Sequence, residues 1–238
     1  MNDRGSSARR GWVILATDTG VGKTFVGTRL ARLLTRRGLV VRARKPAESG
    51  CEEVTTKRGV SRLAADADQL RQAAGGHEPP QVVCPLRFLA ALAPPEAAQR
   101  EGRSLSFTGD LLPALDLRPG AADDYWLIEG AGGLYSPLAD DALNVELALA
   151  TGLPVILVCE DRLGTLSTTL AAIEALDRRG IRTDAVVLNR HAPPDADAPD
   201  NLAALHHWLP KIAPGFSGRL LAIDMDSADT QLETLLPR

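Results

Sequence analysis

Cysteine is scarce in this chain of 238 residues, with only Cys51, Cys84 and Cys159 present. Three scattered thiols cannot form a disulfide framework or supply the paired spacing of a zinc site, so a reducing, cytoplasmic setting is expected. Nor is any stretch long and apolar enough for a membrane span or a signal segment; the run Trp12 to Ala16 is too short for either. Positive charge is not in excess: the net charge is -3, which gives no general attraction to nucleic acid or to an anionic membrane, and neither is an expected partner. Repeats and low-complexity blocks are missing as well, and His206 and His207 have no spaced partners that would make them metal ligands.

What is present is enough apolar sequence, 45% of residues, for one globular domain with a substantial core. Residues 1–11, with Arg4, Arg9 and Arg10 among small polar residues, read as a frayed basic tail, and residues 12–238 as the domain. Short runs rich in Val, Ile and Leu alternate with amphipathic segments, which predicts an α/β fold of the phosphate-loop NTPase type: a mostly parallel sheet covered by helices on both faces. Strands are expected over Trp12–Ala16, Leu39–Lys45, Tyr125–Glu129, Pro154–Cys159, Ala185–Asn189 and Leu220–Ile223. Glu52 to Gly120, interrupted by paired prolines and by glycines, reads as an insertion over the site.

The strongest local signal is Thr17-Asp18-Thr19-Gly20-Val21-Gly22-Lys23-Thr24, placed between the first strand and a helix of apolar period. In such a loop, backbone N–H groups and the helix N-terminus form a cradle for phosphates. Gly20 and Gly22 allow the turn, Lys23 reaches the terminal phosphates, and Thr24 offers a hydroxyl to a magnesium ion. Thr17 stands where the usual pattern opens with glycine, so the loop is a variant. A nucleoside triphosphate is the expected ligand.

In open parallel sheets ligands sit at the carboxyl ends of strands. After the second strand comes Lys45-Pro46-Ala47-Glu48-Ser49-Gly50, a second ammonium on the edge that carries Lys23. The third strand ends in Glu129-Gly130-Ala131-Gly132-Gly133, an acid suited to hydrated Mg²⁺ beside glycines that admit a ligand. After the fourth, Leu163-Gly164-Thr165-Leu166-Ser167 opens a helix with residues that serve either as an N-cap or as an anion site.

These motifs, with Leu153-Pro-Val-Ile-Leu-Val, Arg162-Leu-Gly-Thr and Val187-Leu-Asn-Arg, resemble the dethiobiotin synthetase family in content and order over nearly the whole chain. The resemblance implies a ligase that uses ATP and Mg²⁺ to close a cyclic urea on 7,8-diaminononanoate with carbon dioxide. It implies an ATP site of Thr19, Gly20, Val21, Gly22, Lys23 and Thr24 with Glu129 and Asn189, the last meeting adenine. Magnesium would fall to Thr24, Asp66 and Glu129, with Asp68 close to Asp66. The diamine and its carbamate would face Thr19, Lys45 and Ser49. In the family the turn matching Gly164, Thr165 and Leu166 crosses a dimer interface to the substrate, which implies a homodimer. Lys23 and Lys45 would be catalytic, and replacing either is expected to end turnover and leave the fold intact.

The chain departs from the family at Ala16 and Gly20, at Pro95, where many members have histidine, and at Glu48, which adds a negative charge near the presumed diamine pocket. The alternatives are another amide-forming synthetase of this fold, or a partitioning or septum-positioning ATPase that works as a nucleotide switch. The latter carries a signature lysine where this chain has Asp18.

Overall fold

The computed structural model describes residues 9–56, 59–117, 124–191 and 199–237. Its centre is a six-stranded sheet built from β1 (Arg10–Ala16), β2 (Val40–Arg44), β3 (Asp124–Glu129), β4 (Val155–Glu160), β5 (Thr183–Asn189) and β6 (Arg219–Ile223). The order is β6-β5-β4-β1-β3-β2 and every pairing is parallel. The strand at Arg10 begins earlier than the sequence suggests, so Arg10 and Gly11 belong to the sheet; residues 1–8 of the expected tail lie outside the described residues. The chain winds outward from β1 on one side through β3 and β2, and on the other through β4 to β6. Such a reversal opens a crevice at the carboxyl ends of the central strands.

The near-continuous apolar strands follow from burial on both faces. Alternate side chains divide between two cores, since successive residues of a strand point to opposite faces. Val13, Leu15, Ile128, Val155 and Leu157 enter one, while Ile14, Ala16, Leu127, Ile156 and Val158 enter the other. Helix α1 (Lys23–Arg36) lays Val26, Leu30 and Leu34 into the second core, joined there by Ala67 and Leu70 of α2 (Ala65–Ala73). On the opposite face lie α3 (Pro94–Arg100), α4 (Val145–Thr151), α5 (Thr165–Arg178) and α6 (Asn201–Ile212), whose buried side chains include Ala97, Leu147, Ile173 and Leu205. The final helix, α7 (Ala228–Glu233), returns to the α1 side through Leu232.

The segment expected as an insertion is more integral than its prolines suggest. A hairpin, Glu52–Thr56 with Gly59–Leu63, is followed by α2, whose Leu70 is fully buried against α1. Pro94 and Pro95 occupy the first positions of α3, where the missing N–H costs no helical bond, and both are buried. Residues 118–120 at the end of that segment lie outside the described residues.

Candidate active site

Register and residue parity bring the charged groups together. Arg44 pairs with Ile128, so the next residues, Lys45 and Glu129, reach the end of the sheet side by side. Both are two residues beyond Ala43 and Leu127, which face the α1 core, and so they project to the side where α1 starts. There Lys45 Nζ lies 2.6 Å from Glu129 Oε1 and 2.8 Å from Asp66 Oδ2. Thr24 Oγ1, in the first turn of α1, donates to the same Glu129 Oε1 at 2.8 Å. Glu129 is fully buried, and Lys45 is 4% exposed.

A cavity of about 620 Å³ opens over this cluster. The phosphate loop contributes Thr19, Gly20, Gly22, Lys23 and Thr24; the other charged walls are Lys45, Glu48, Asp66 and Glu129. Ser49 and Ser136 add hydroxyls, and Ala91, Leu92, Ala93 and Pro94 form an apolar side. The turn has the backbone that its glycines permit: φ is +77° at Gly20 and +100° at Gly22. A Cβ on Gly22 would lie 2.1 Å from Asn189 Nδ2, which donates to the Val21 carbonyl at 3.0 Å. Gly22→Ala therefore combines left-handed strain with loss of that clamp, and ATP affinity measured by calorimetry is expected to fall about tenfold or more. Wild-type affinity would show that the loop accommodates a side chain.

Asn189 thus sits at the tip of β5, holding the phosphate loop through its amide. Ser49 lies on the cavity wall. Of the two candidate acids on α2, Asp66 faces Lys45 and the cavity, whereas Asp68 is taken up by Arg71 at 2.9 Å and by Gln72. The structure does not bring Gly164, Thr165 and Leu166 to this cavity within one chain. Thr165 is buried beside Thr169, Leu166 packs on the core, and Leu163 of the same turn is 81% exposed.

Asn144, which the sequence did not single out, shapes a loop that lines the cavity. Fully buried, it accepts from Ala131 N at 2.7 Å and donates to the Ser136 carbonyl at 3.0 Å, tying the two ends of the glycine loop after β3 together. Gly130 leaves room for it, since a Cβ there would stand 2.6 Å from Asn144 Oδ1. A lone asparagine before a helix carries no pattern that marks such a role.

The electrostatics separate the two lysines. Burial depresses the Lys23 pKa, with Glu129 opposing, and the only hydrogen bond of its Nζ among the described residues is a 3.4 Å contact with the Asp18 carbonyl. Burial acts on Lys45 in the same sense, but Glu129, Asp66 and Glu48 outweigh it and raise the pKa above the ordinary 10.5. Burial works against ionisation of Asp66 too, yet the ammonium of Lys45 holds its carboxyl below the usual range. Two of the three N–H groups of Lys45 are engaged, so one is left for an oxygen in the cavity.

The donors also suit a hard divalent ion. Thr24, Asp66 and Glu129 present only oxygen, the ligand type that Mg²⁺ takes, and Glu129 Oε2 is buried without a hydrogen-bond partner among the described residues.

The parallel sheet, the glycine turn into α1 and the lysine, threonine and acid set around it define a phosphate-loop ATP-binding protein. A family model described as AAA domain matches residues 10–213. The chain is 40% identical over 218 residues to the ATP-dependent dethiobiotin synthetase BioD of Anaeromyxobacter dehalogenans, covering 86% of this chain and 92% of that one. With the protein of the same name from Rhodopirellula baltica it shares 37% identity over 216 residues, covering 85% and 82%. The chain belongs to the ATP-dependent dethiobiotin synthetase family, ligases that form a C–N bond. Among solved structures it is similar to the septum site-determining protein MinD in complex with Mg-ADP from Pyrococcus horikoshii, with a TM-score of 0.46, 16% identity, and 96% and 87% of the two chains covered.

Proposed function

We propose that this protein closes the ureido ring of dethiobiotin from 7,8-diaminononanoate, carbon dioxide and ATP, the penultimate step of biotin synthesis, and that it does so in the cavity between α1, α2 and the ends of β1 to β3. The observation that carries the reading is the convergence of Lys23 and Lys45 on one cavity with Thr24, Asp66 and Glu129, in a chain whose curated relatives are dethiobiotin synthetases.

One substrate amine adds to carbon dioxide, giving a carbamate and releasing a proton. A carbamate oxygen then attacks the γ-phosphorus of ATP, so that a carbamic–phosphoric anhydride forms and ADP leaves. Attack of the second amine on the anhydride carbon closes the ring; phosphate departs with the bonding pair and the amine gives up a proton. Negative charge develops on phosphoryl and carbamate oxygens throughout, and preorganised cations aimed at those oxygens supply the catalysis. Lys23 serves the phosphoryl oxygens. Lys45, fixed by Glu129 and Asp66, presents its remaining N–H to the carbamate, and Thr19 and Ser49 line the diamine pocket beside the apolar wall from Ala91 to Pro94. A magnesium ion held by Thr24, Asp66 and Glu129 would neutralise phosphate charge when bound. Asn189 would meet adenine through its amide oxygen or its second N–H, since one N–H donates to Val21.

The exposed turn at Leu163 and Gly164 is available to a second copy of the chain, which supports a homodimer; light scattering should give twice 25.3 kDa. The thiols Cys51, Cys84 and Cys159, all buried and free, support a cytoplasmic location. No helix among the described residues is long and apolar enough to cross a membrane.

The deciding assay supplies ATP, MgCl₂, bicarbonate and the diamine. Dethiobiotin and phosphate should appear in equal amounts. Hydrolysis that ignores the diamine and responds to DNA or lipid would replace this reading with that of a nucleotide switch.

A further inference from the structure

We infer that Glu48 is a positioning residue: from the loop after β2 it caps α2 and so fixes where Asp66 presents its carboxylate. The inference rests on the proposed role of Asp66 as a magnesium ligand.

The first N–H groups of a helix have no partner within it, and in α2 the flanking residue is Ala64, which has no side chain able to serve. Glu48 fills the gap from a distance in sequence. Its Oε1 accepts from Asp66 N at 3.0 Å and its Oε2 from Ala67 N at 2.9 Å. The base of Glu48 is itself fixed, for Ala47–Glu48 pairs in parallel with Leu86–Arg87 and the Glu48 carbonyl accepts from Phe88 N at 2.9 Å. Three residues earlier on the same loop, Lys45 Nζ binds the Asp66 side chain at 2.8 Å. One short loop therefore grips Asp66 twice, at its backbone and at its carboxylate.

The negative charge that the sequence placed near the diamine is thus answered by a helix N-terminus, with both oxygens turned to backbone donors. Glu48 orients a group that would hold the metal and does not itself take part in the chemistry. Partners of metal-bound carboxylates act in this way, and their loss weakens metal binding by about 10- to 100-fold.

The test is Mn²⁺ binding to the full chain with a non-hydrolysable ATP analogue, followed by electron paramagnetic resonance, and the Mg²⁺ dependence of turnover. Glu48→Ala should weaken Mn²⁺ binding about 10-fold or more and raise the Mg²⁺ needed for half-maximal rate. Glu48→Gln, which keeps one acceptor oxygen, should be partly rescued. Leu70→Ala loosens α2 inside the core with the cap in place and should leave Mn²⁺ affinity unchanged. Equal weakening by Glu48→Ala and Leu70→Ala would reduce the effect to helix packing and overturn the inference. So would wild-type affinity in Glu48→Ala while Asp66→Asn is impaired. If Asp66→Asn binds Mn²⁺ normally, the metal reading itself falls. Should the alanine variant not fold, the comparison of Glu48→Gln with Leu70→Ala decides the matter by the same criteria.

Discussion

Replacing Lys45 by alanine should unfold the protein more readily as well as stop turnover. The sequence treats this lysine as a catalytic cation that the fold can lose, but the structure changes that expectation. Lys45 is buried, and its nearest partner is a carboxylate with no exposure at all. Removing one member of such a pair leaves the other as an uncompensated interior charge, which costs about 3–5 kcal/mol. For a domain of this size that is a fall in Tm of about 6–20 °C. Because pairing raises the Lys45 pKa above 10.5, its contribution is complete below that value and fades only as pH rises through the higher folded value. The loss should therefore be seen in full at neutral pH. Magnesium with nucleotide should recover part of it, since a cation beside Glu129 replaces the missing charge. A variant that melts with the wild type in the absence of ligand would mean that Glu129 is not held by this lysine.

Lys23→Ala should behave in the opposite way. Its ammonium is buried with a weak contact to the Asp18 carbonyl, and its depressed pKa shows that the folded state holds the charge less readily than water does. The substitution removes that unfavourable charge, so Tm should stay level or rise slightly. Turnover should fall about 100- to 1,000-fold, the usual loss when one preorganised stabiliser of developing charge is removed. Circular dichroism melts and single-turnover product formation on the same samples check both halves. A large drop in Tm together with lost activity would make Lys23 structural and undo the contrast with Lys45.

Much of this arrangement is legible in the sequence, for identifiable reasons. Strands buried on both faces must be apolar throughout, so β1, β3 and β4 stand out as uninterrupted runs, and the residue at which the apolar run stops marks the end of the sheet where ligands bind. Glu129 is readable for that reason, whereas β2 is broken by Arg42 and Arg44 and Lys45 is marked instead by its place in the Lys45-Pro46 step after that strand. The fixed spacing of the phosphate loop exposes Lys23 and Thr24 in the same way. Relations between elements are not readable. Nothing within the sequence around Glu48 indicates that its carboxylate caps a helix beginning at Ala65, and nothing around Asn144 indicates that it straps the loop from Gly130 to Ser136. The prolines between Glu52 and Gly120 suggest irregular cover, whereas Leu70 within that segment is part of the core. Glu48 shows the effect most clearly. By composition it is an extra negative charge, and by position it is a helix cap.

The most direct measurement is a crystal structure with a non-hydrolysable ATP analogue, magnesium and the diamine carbamate. Lys23 and Lys45 should each place Nζ within hydrogen-bonding distance of phosphate or carbamate oxygens in one continuous cavity. A structure with the nucleotide bound elsewhere, or with either ammonium directed away from those oxygens, would contradict the proposed chemistry.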